Sequence, residues 1–80
     1  MASTKYIYSV RDDLAEVFND SFTHINNATA IRDFQNGMAD NPNKNDFSLY
    51  KLGKLNMDTG QIDDTNPIKI FTGMDIKTHE

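Results

Sequence analysis

The sequence predicts an α+β fold: a small antiparallel β-sheet of three to four strands with one main α-helix packed on a face. Segments of aromatic and β-branched residues flank a single segment with helical spacing, and polar turn-forming stretches separate them. The chain has 80 residues and no cysteine. This length predicts one small domain, residues 1–80, with frayed ends at 1–4 and 77–80.

The first predicted element is a strand over residues 5–11, which are rich in aromatic and β-branched types. Strand periodicity puts Tyr6, Tyr8 and Val10 on one face of it. This face is the first candidate for the sheet side of the core.

Residues 12–25 support two interpretations. Asp12 is a suitable cap for a short helix that would carry Leu14, Val17 and Phe18 on one side. The turn-like residues after Phe18 favour instead one helical turn or loop followed by an extended segment over residues 22–25. We favour the second interpretation, and the pattern leaves the helical one open.

The main helix is predicted over residues 27–39, with Asn27 as its N-cap. Its apolar residues recur at intervals of three and four, which is typical of a helix with one buried face. They are Ala30, Ile31, Phe34 and Met38. Pro42 and the polar residues around it end the helix.

A second strand is predicted over residues 47–56, with apolar residues on both faces. One face carries Phe47, Leu49 and Leu55, and the other carries Tyr50 and Leu52. Residues 57–60 form a turn with a glycine, residues 61–63 return antiparallel as a hairpin, and residues 68–72 are the last strand. The pairing order of the strands stays open at this point.

Composition excludes several classes of function. The formal net charge of −4 and the pI near 4.9 argue against a simple electrostatic binder of nucleic acid. Without cysteine there are no disulfides, thiolate metal sites or cysteine nucleophiles. No stretch is apolar enough for a membrane span or a signal peptide, so we expect an intracellular protein with no membrane contact.

Catalytic and metal-binding patterns are also missing. No serine or threonine stands in a nucleophile motif with a histidine base, so we predict that the protein is not an enzyme and needs no cofactor. The acidic pairs Asp12-Asp13 and Asp63-Asp64 lack the spacing of a cation loop. We therefore expect them to cap turns and predict no metal site.

The candidate binding residues are basic. Lys51, Lys54 and Lys69 fall on predicted strands, where a basic strip beside tyrosines would suit single-stranded nucleic acid. The alternative is that these lysines are solvated strand positions. A regular strand would place Lys51 and Lys54 on opposite faces. Arg32 has two expected partners, a phosphate or a nearby carboxylate, and Arg11 is a further candidate.

Several short motifs occur in a fixed order along most of the chain. They are Ile7–Asp12, Phe22, Asn27–Phe34, Asp46–Gly53 and Asp58–Ile62. This ordered set resembles the small nonstructural protein of gokushovirus-type microviruses, which are single-stranded DNA phages. The resemblance implies a protein made in the host bacterial cytoplasm that is not part of the virion. Such proteins are described as DNA-binding and are likened to a phage protein that switches replication to single-strand synthesis.

The resemblance implies a nonstructural phage accessory protein in single-stranded DNA synthesis. Its partners would be single-stranded DNA or viral or host replication proteins. The residues proposed for contact are Lys51, Lys54 and Lys69, with Arg11 and Arg32 as helpers. The alternative is a protein-interaction adaptor or a self-assembling homo-oligomer without direct DNA contact, because a small cysteine-free sheet has exposed edges and a limited core.

Overall fold

The structure is a computed structural model that describes residues 3–76. Within this range the chain forms six strands, one α-helix and two single-turn 3-10 helices. The strands are β1 (Thr4–Asp12), β2 (Val17–Phe18), β3 (Phe22–His24), β4 (Phe47–Asn56), β5 (Ile62–Asp63) and β6 (Ile68–Thr72). The α-helix is α1 (Asn27–Met38), and the 3-10 helices are Lys44–Asp46 and Gly73–Asp75.

All strands belong to one antiparallel sheet with β1 and β4 at its centre. These two strands pair along their length, from Thr4 opposite Asn56 to Asp12 opposite Phe47. The outer edge of β1 carries β2 and β3 one after the other, and the outer edge of β4 carries β5 and β6. The sheet is therefore four strands wide, but it contains more strands than the three to four predicted, because each edge is divided between two short strands.

Two register shifts change which side chains share a face. Between β1 and β4, Tyr8 pairs with Lys51 and Ile7 pairs with Gly53, which leaves Leu52 as an extra residue on β4. A second shift, between β4 and β6, leaves Ile70 as the extra residue. The first shift moves Leu55 to the face opposite Leu49, so the predicted shared face of Phe47, Leu49 and Leu55 is wrong at Leu55.

Residues 12–25 form a turn followed by two short strands. Asp12 Oδ1 accepts hydrogen bonds from the backbone N–H of Leu14, at 3.1 Å, and of Ala15, at 3.0 Å. Glu16 has φ of 59° and turns the chain back, so that Val17 and Phe18 pair with the end of β1. The predicted extended segment is confirmed at Phe22–His24, the strand Val17–Phe18 was not predicted, and the helical interpretation is wrong.

Helix α1 begins at Asn27 as predicted, but its N-cap lies one residue before the predicted cap. Asn26 is the N-cap, and its side chain accepts a hydrogen bond from Thr29 N at 2.9 Å. The predicted cap, Asn27, instead accepts a 2.7 Å hydrogen bond from the Tyr8 hydroxyl. Burial raises the pKa of Tyr8, which keeps this hydroxyl a neutral donor.

The core lies between α1 and one face of the sheet. Its fully buried members are Tyr8 and Leu49 from the two central strands and Ala30 and Phe34 from the helix. The predicted shared face of Tyr6, Tyr8 and Val10 is confirmed, since all three belong to this cluster. The helix thus covers only one side of the sheet. The predicted frayed ends lie mainly outside the described residues, within which Ser3 O accepts a 2.8 Å hydrogen bond from Met57 N.

Two glycines should respond in opposite ways to alanine. A Cβ at Gly37, in α1, would meet no atom within 4 Å, whereas a Cβ at Gly73 would overlap the backbone of Lys44. Alanine is the better helix former, so Gly37→Ala should raise the free energy of unfolding by about 0.5–1 kcal/mol. Gly73→Ala should lower it by more than that. Urea denaturation of both variants measures the difference, and equal effects would contradict the close approach at Gly73.

Candidate nucleic-acid interface

One face of the central sheet has no helix on it. Leu49 pairs with Val10 and with Phe71, and the ring of Phe71 lies 6.0 Å from that of Phe34 in α1. These residues therefore face the helix. Because side chains alternate along a strand, their neighbours face the other way. We call this other side the helix-free face; it carries Ser9, Arg11, Phe18, Ser48, Tyr50 and Lys69.

The helix-free face contains an aromatic pair beside two cations. Phe18 and Tyr50 have ring centroids 5.1 Å apart and meet edge to face at 80°. The guanidinium carbon of Arg11 lies 5.8 Å from the centre of the Phe18 ring. Lys69 is the direct cross-strand partner of Tyr50. We call these four residues the aromatic–cationic cluster.

Asp13 balances part of the positive charge of this cluster. Its carboxylate accepts a 2.5 Å hydrogen bond from Ser48 Oγ and a 2.8 Å hydrogen bond from Arg11. The bond from Ser48 holds the pKa of Asp13 below its ordinary value, and Arg11 and Lys69 act in the same direction. The hydrogen bond to Asp13 in turn raises the pKa of Arg11. This network fixes Arg11 next to the Phe18 ring.

The structure places the predicted lysines on two different faces. Lys51 pairs with Tyr8 on the helix side of the sheet, and the extra residue Leu52 brings Lys54 opposite Tyr6 on the same side. The expectation that they occupy opposite faces is wrong, because it assumed a regular strand. The ammonium of Lys51 lies 5.1 Å from the centre of the Tyr6 ring. Lys69, on the helix-free face, is separated from both of them by the sheet.

Arg32 lies apart from all the other predicted site residues. It is on α1 with 69% of its side chain exposed, and Asp33 is its carboxylate neighbour at 4.0 Å. Of the five candidates, the structure therefore brings together Arg11 and Lys69. Phe18 was missed as a site residue because its segment also fits a helix, and its contact with Tyr50 depends on strands distant in sequence.

The acidic pairs serve turns and hydrogen bonds. Asp12 caps the turn after β1, and Asp13 bonds Arg11 and Ser48. Asp64 has φ of 52° in the segment after β5. Within residues 3–76, no three carboxylate or imidazole groups come close enough together to hold a metal ion. The same range contains no helix with the length and apolarity needed to cross a bilayer.

Comparison with known families gives one match, which covers nearly the whole described structure. Residues 5–76 match the family described as Phage ORF5 protein. The chain belongs to the Phage ORF5 protein family. No curated protein matches the chain, and no solved structure matches it.

Membership in the Phage ORF5 protein family confirms that this is a small phage protein. The matched range begins at the second residue of β1 and extends past the last 3-10 helix. All four members of the aromatic–cationic cluster lie within it, as does the whole core. The family description names no ligand, so the chemistry of the site has to be argued from the residues themselves.

The Asp13 network should make the free energy of unfolding depend on pH in the acidic range. The folded pKa of Asp13 lies below the ordinary 3.8 of the unfolded chain. Its contribution is therefore complete above the unfolded value and is lost as the pH falls through the folded one. Asp13→Asn should lower the free energy of unfolding at pH 7 by about 1 kcal/mol and flatten its decline with acid. Urea denaturation between pH 7 and pH 2 measures both effects.

Asp58→Asn is the matched control for this substitution. Asp58 is exposed in the turn after β4, and Asn56 rather than Asp58 supplies the capping oxygen there. This variant should retain both the stability of the unmodified chain and its decline in acid. If Asp13→Asn and Asp58→Asn lower the free energy of unfolding equally, the Asp13 network makes no specific contribution to stability.

Proposed function

We propose that this Phage ORF5 protein is an accessory protein of single-stranded DNA synthesis that binds single-stranded DNA on its helix-free face. The observation that carries the proposal is the Phe18–Tyr50 pair beside Arg11 and Lys69. Family membership supports the phage setting. The resemblance to the nonstructural proteins of gokushovirus-type microviruses supports single-stranded DNA as the ligand and the host bacterial cytoplasm as the site of action.

The chemistry of the cluster suits a flexible strand. Bases stack on aromatic side chains, and each stacked base contributes about 1–3 kcal/mol. Phe18 is 40% exposed and lies at the sheet edge, where a base has access to the ring. Tyr50 is partly buried behind it and holds the orientation of that ring by the edge-to-face contact.

The two cations have different roles in the proposal. Arg11 shares its charge with Asp13, so it mainly shapes the aromatic surface. None of the ion pairs among residues 3–76 involves Lys69, which is therefore the cation best placed for a phosphate. A single main phosphate contact predicts weak binding with a shallow dependence on salt.

The acidic net charge is compatible with this site because many of the acids lie outside its strands. Asp13 is hydrogen-bonded within the network of the cluster, whereas Asp20, Asp40, Asp58 and Asp64 lie in turns and loops between elements. The protein's overall field still repels DNA, so contact depends on short-range stacking and on low ionic strength.

Substitutions in the cluster test the proposal with a labelled oligothymidine. Phe18→Leu removes the stacking surface and keeps an apolar side chain, so it should weaken binding about tenfold. Lys69→Gln should reduce the dependence of log K on log salt by about 0.7. Fluorescence anisotropy at several salt concentrations measures both quantities, with circular dichroism as the check on folding.

Lys54→Gln and Arg32→Gln are charge-matched controls for Lys69→Gln. Both remove one positive charge away from the helix-free face and should leave affinity and salt dependence nearly unchanged. If all three variants weaken binding equally, the site is not on this face. If the unmodified protein fails to bind the oligonucleotide at micromolar concentration and low salt, direct DNA contact is refuted.

A further inference from the structure

A second surface lies on the opposite side of the sheet, between α1 and β3. It is an open cleft of about 380 Å³. Its apolar lining comes from both the sheet and the helix and consists of Val10, Phe22, Phe34, Gly37 and Met38. His24 and Asp33 join the two walls at the rim, with His24 Nε2 and Asp33 Oδ2 3.0 Å apart. The volume is in the range of pockets that take a ligand group.

We infer that this cleft docks a basic amphipathic segment of a partner protein, with one large apolar side chain seated between Phe22 and Met38. This role goes beyond the proposed function, because it uses the other side of the molecule. Three features of the cleft favour this occupant: the composition of the lining, the glycine within it and the charge around it.

The lining is suited to an inserted side chain. Phe22 and Phe34 provide aromatic walls, and Met38 provides a flexible thioether that adapts to different shapes. Gly37 is exposed within a helix, where alanine would fit without touching any other residue. The fold therefore has no steric need for glycine at this position. A glycine here lets an occupant approach the helix backbone more closely than any other residue would.

The charge around the cleft favours a cationic partner. Helix α1 has no basic residue in its last turn, so the negative end of its dipole is not compensated there. Asp40 follows this end by two residues, and Asp20 precedes β3 by two residues. Each of these acids is therefore two residues in sequence from a lining residue, Asp40 from Met38 and Asp20 from Phe22, and Asp33 itself lines the rim. Lysine or arginine residues flanking the apolar anchor would meet this acidic rim.

A synthetic peptide tests the inference directly. The probe is a decapeptide with one tryptophan and one leucine flanked by four lysines, and its partner probe carries four glutamates instead. The protein contains no tryptophan, so indole fluorescence reports on the peptide alone. The lysine peptide should bind with a blue shift of its emission, and the glutamate peptide should bind at least about tenfold more weakly.

Substitutions locate the binding site. Gly37→Leu fills the cleft from an exposed helix position and should weaken binding of the lysine peptide at least about tenfold. Asn36→Leu adds the same side chain at the neighbouring exposed position outside the lining and should leave binding unchanged. Asp40→Lys should weaken binding of the lysine peptide, whereas Asp58→Lys, in the distant turn after β4, should have a smaller effect.

Four outcomes would overturn the inference. The first two are that the lysine peptide does not bind, or that it binds no more tightly than the glutamate peptide. The other two are that Gly37→Leu and Asn36→Leu weaken binding of the lysine peptide equally, or that Gly37→Leu leaves this binding unchanged. Light scattering gives a fifth such outcome: a dimer that Gly37→Leu dissociates would assign the cleft to self-association and overturn the inference. Phe18→Leu should leave peptide binding intact, and Gly37→Leu should leave oligonucleotide binding intact, so the two proposals fail separately.

Discussion

The pairing of β1 with β4 is the interaction on which the rest of the structure depends. It joins the beginning of the chain to a segment more than thirty residues later, from Thr4 opposite Asn56 to Asp12 opposite Phe47. Every other strand is added to an outer edge of this pair. The helix packs on Tyr8 and Leu49, one from each central strand. The register of this pairing determines which side chains of β1 and β4 lie on each of the two candidate surfaces.

Two extra residues, Leu52 on β4 and Ile70 on β6, determine how charge is divided between the two faces. Leu52 brings Lys54 to the helix side, where Lys51 already lies, and Ile70 leaves Lys69 opposite Tyr50 on the helix-free face. The aromatic–cationic cluster and the cleft consequently lie on opposite sides of a thin molecule. The two proposals therefore place a DNA strand and a protein segment on different sides of one copy.

Local patterns in the sequence predicted much of the fold. Alternation identified β1 and β4, helical spacing identified α1, and Gly60, with φ of 78°, marked the turn after β4. The position of the cap at Asn26 and the strand Val17–Phe18 were not predicted, because asparagine and aspartate suit several local roles.

The candidate site was less accessible to sequence analysis than the fold. A β-bulge arises from the pairing of two strands, so the parity of Lys51 and Lys54 cannot be obtained from one strand alone. The contact of Phe18 with Tyr50 likewise joins segments that only the assembled sheet brings together. The charge of Arg11 and Lys69 made both of them candidates in the sequence. Only the register of β1, β4 and β6 shows that they lie on the same face of the sheet.

The long separation between β1 and β4 has a consequence for the order of events during synthesis. Strands β2 and β3 follow β1 closely, so they can fold back on its outer edge while the chain is still emerging. The inner edge of β1 stays unpaired until β4 has been synthesised, and the closure of so large a loop is slow. A nascent chain would therefore expose its tyrosine-rich strand until translation has passed Asn56, and in that interval it is most open to chaperones or to pairing with another copy.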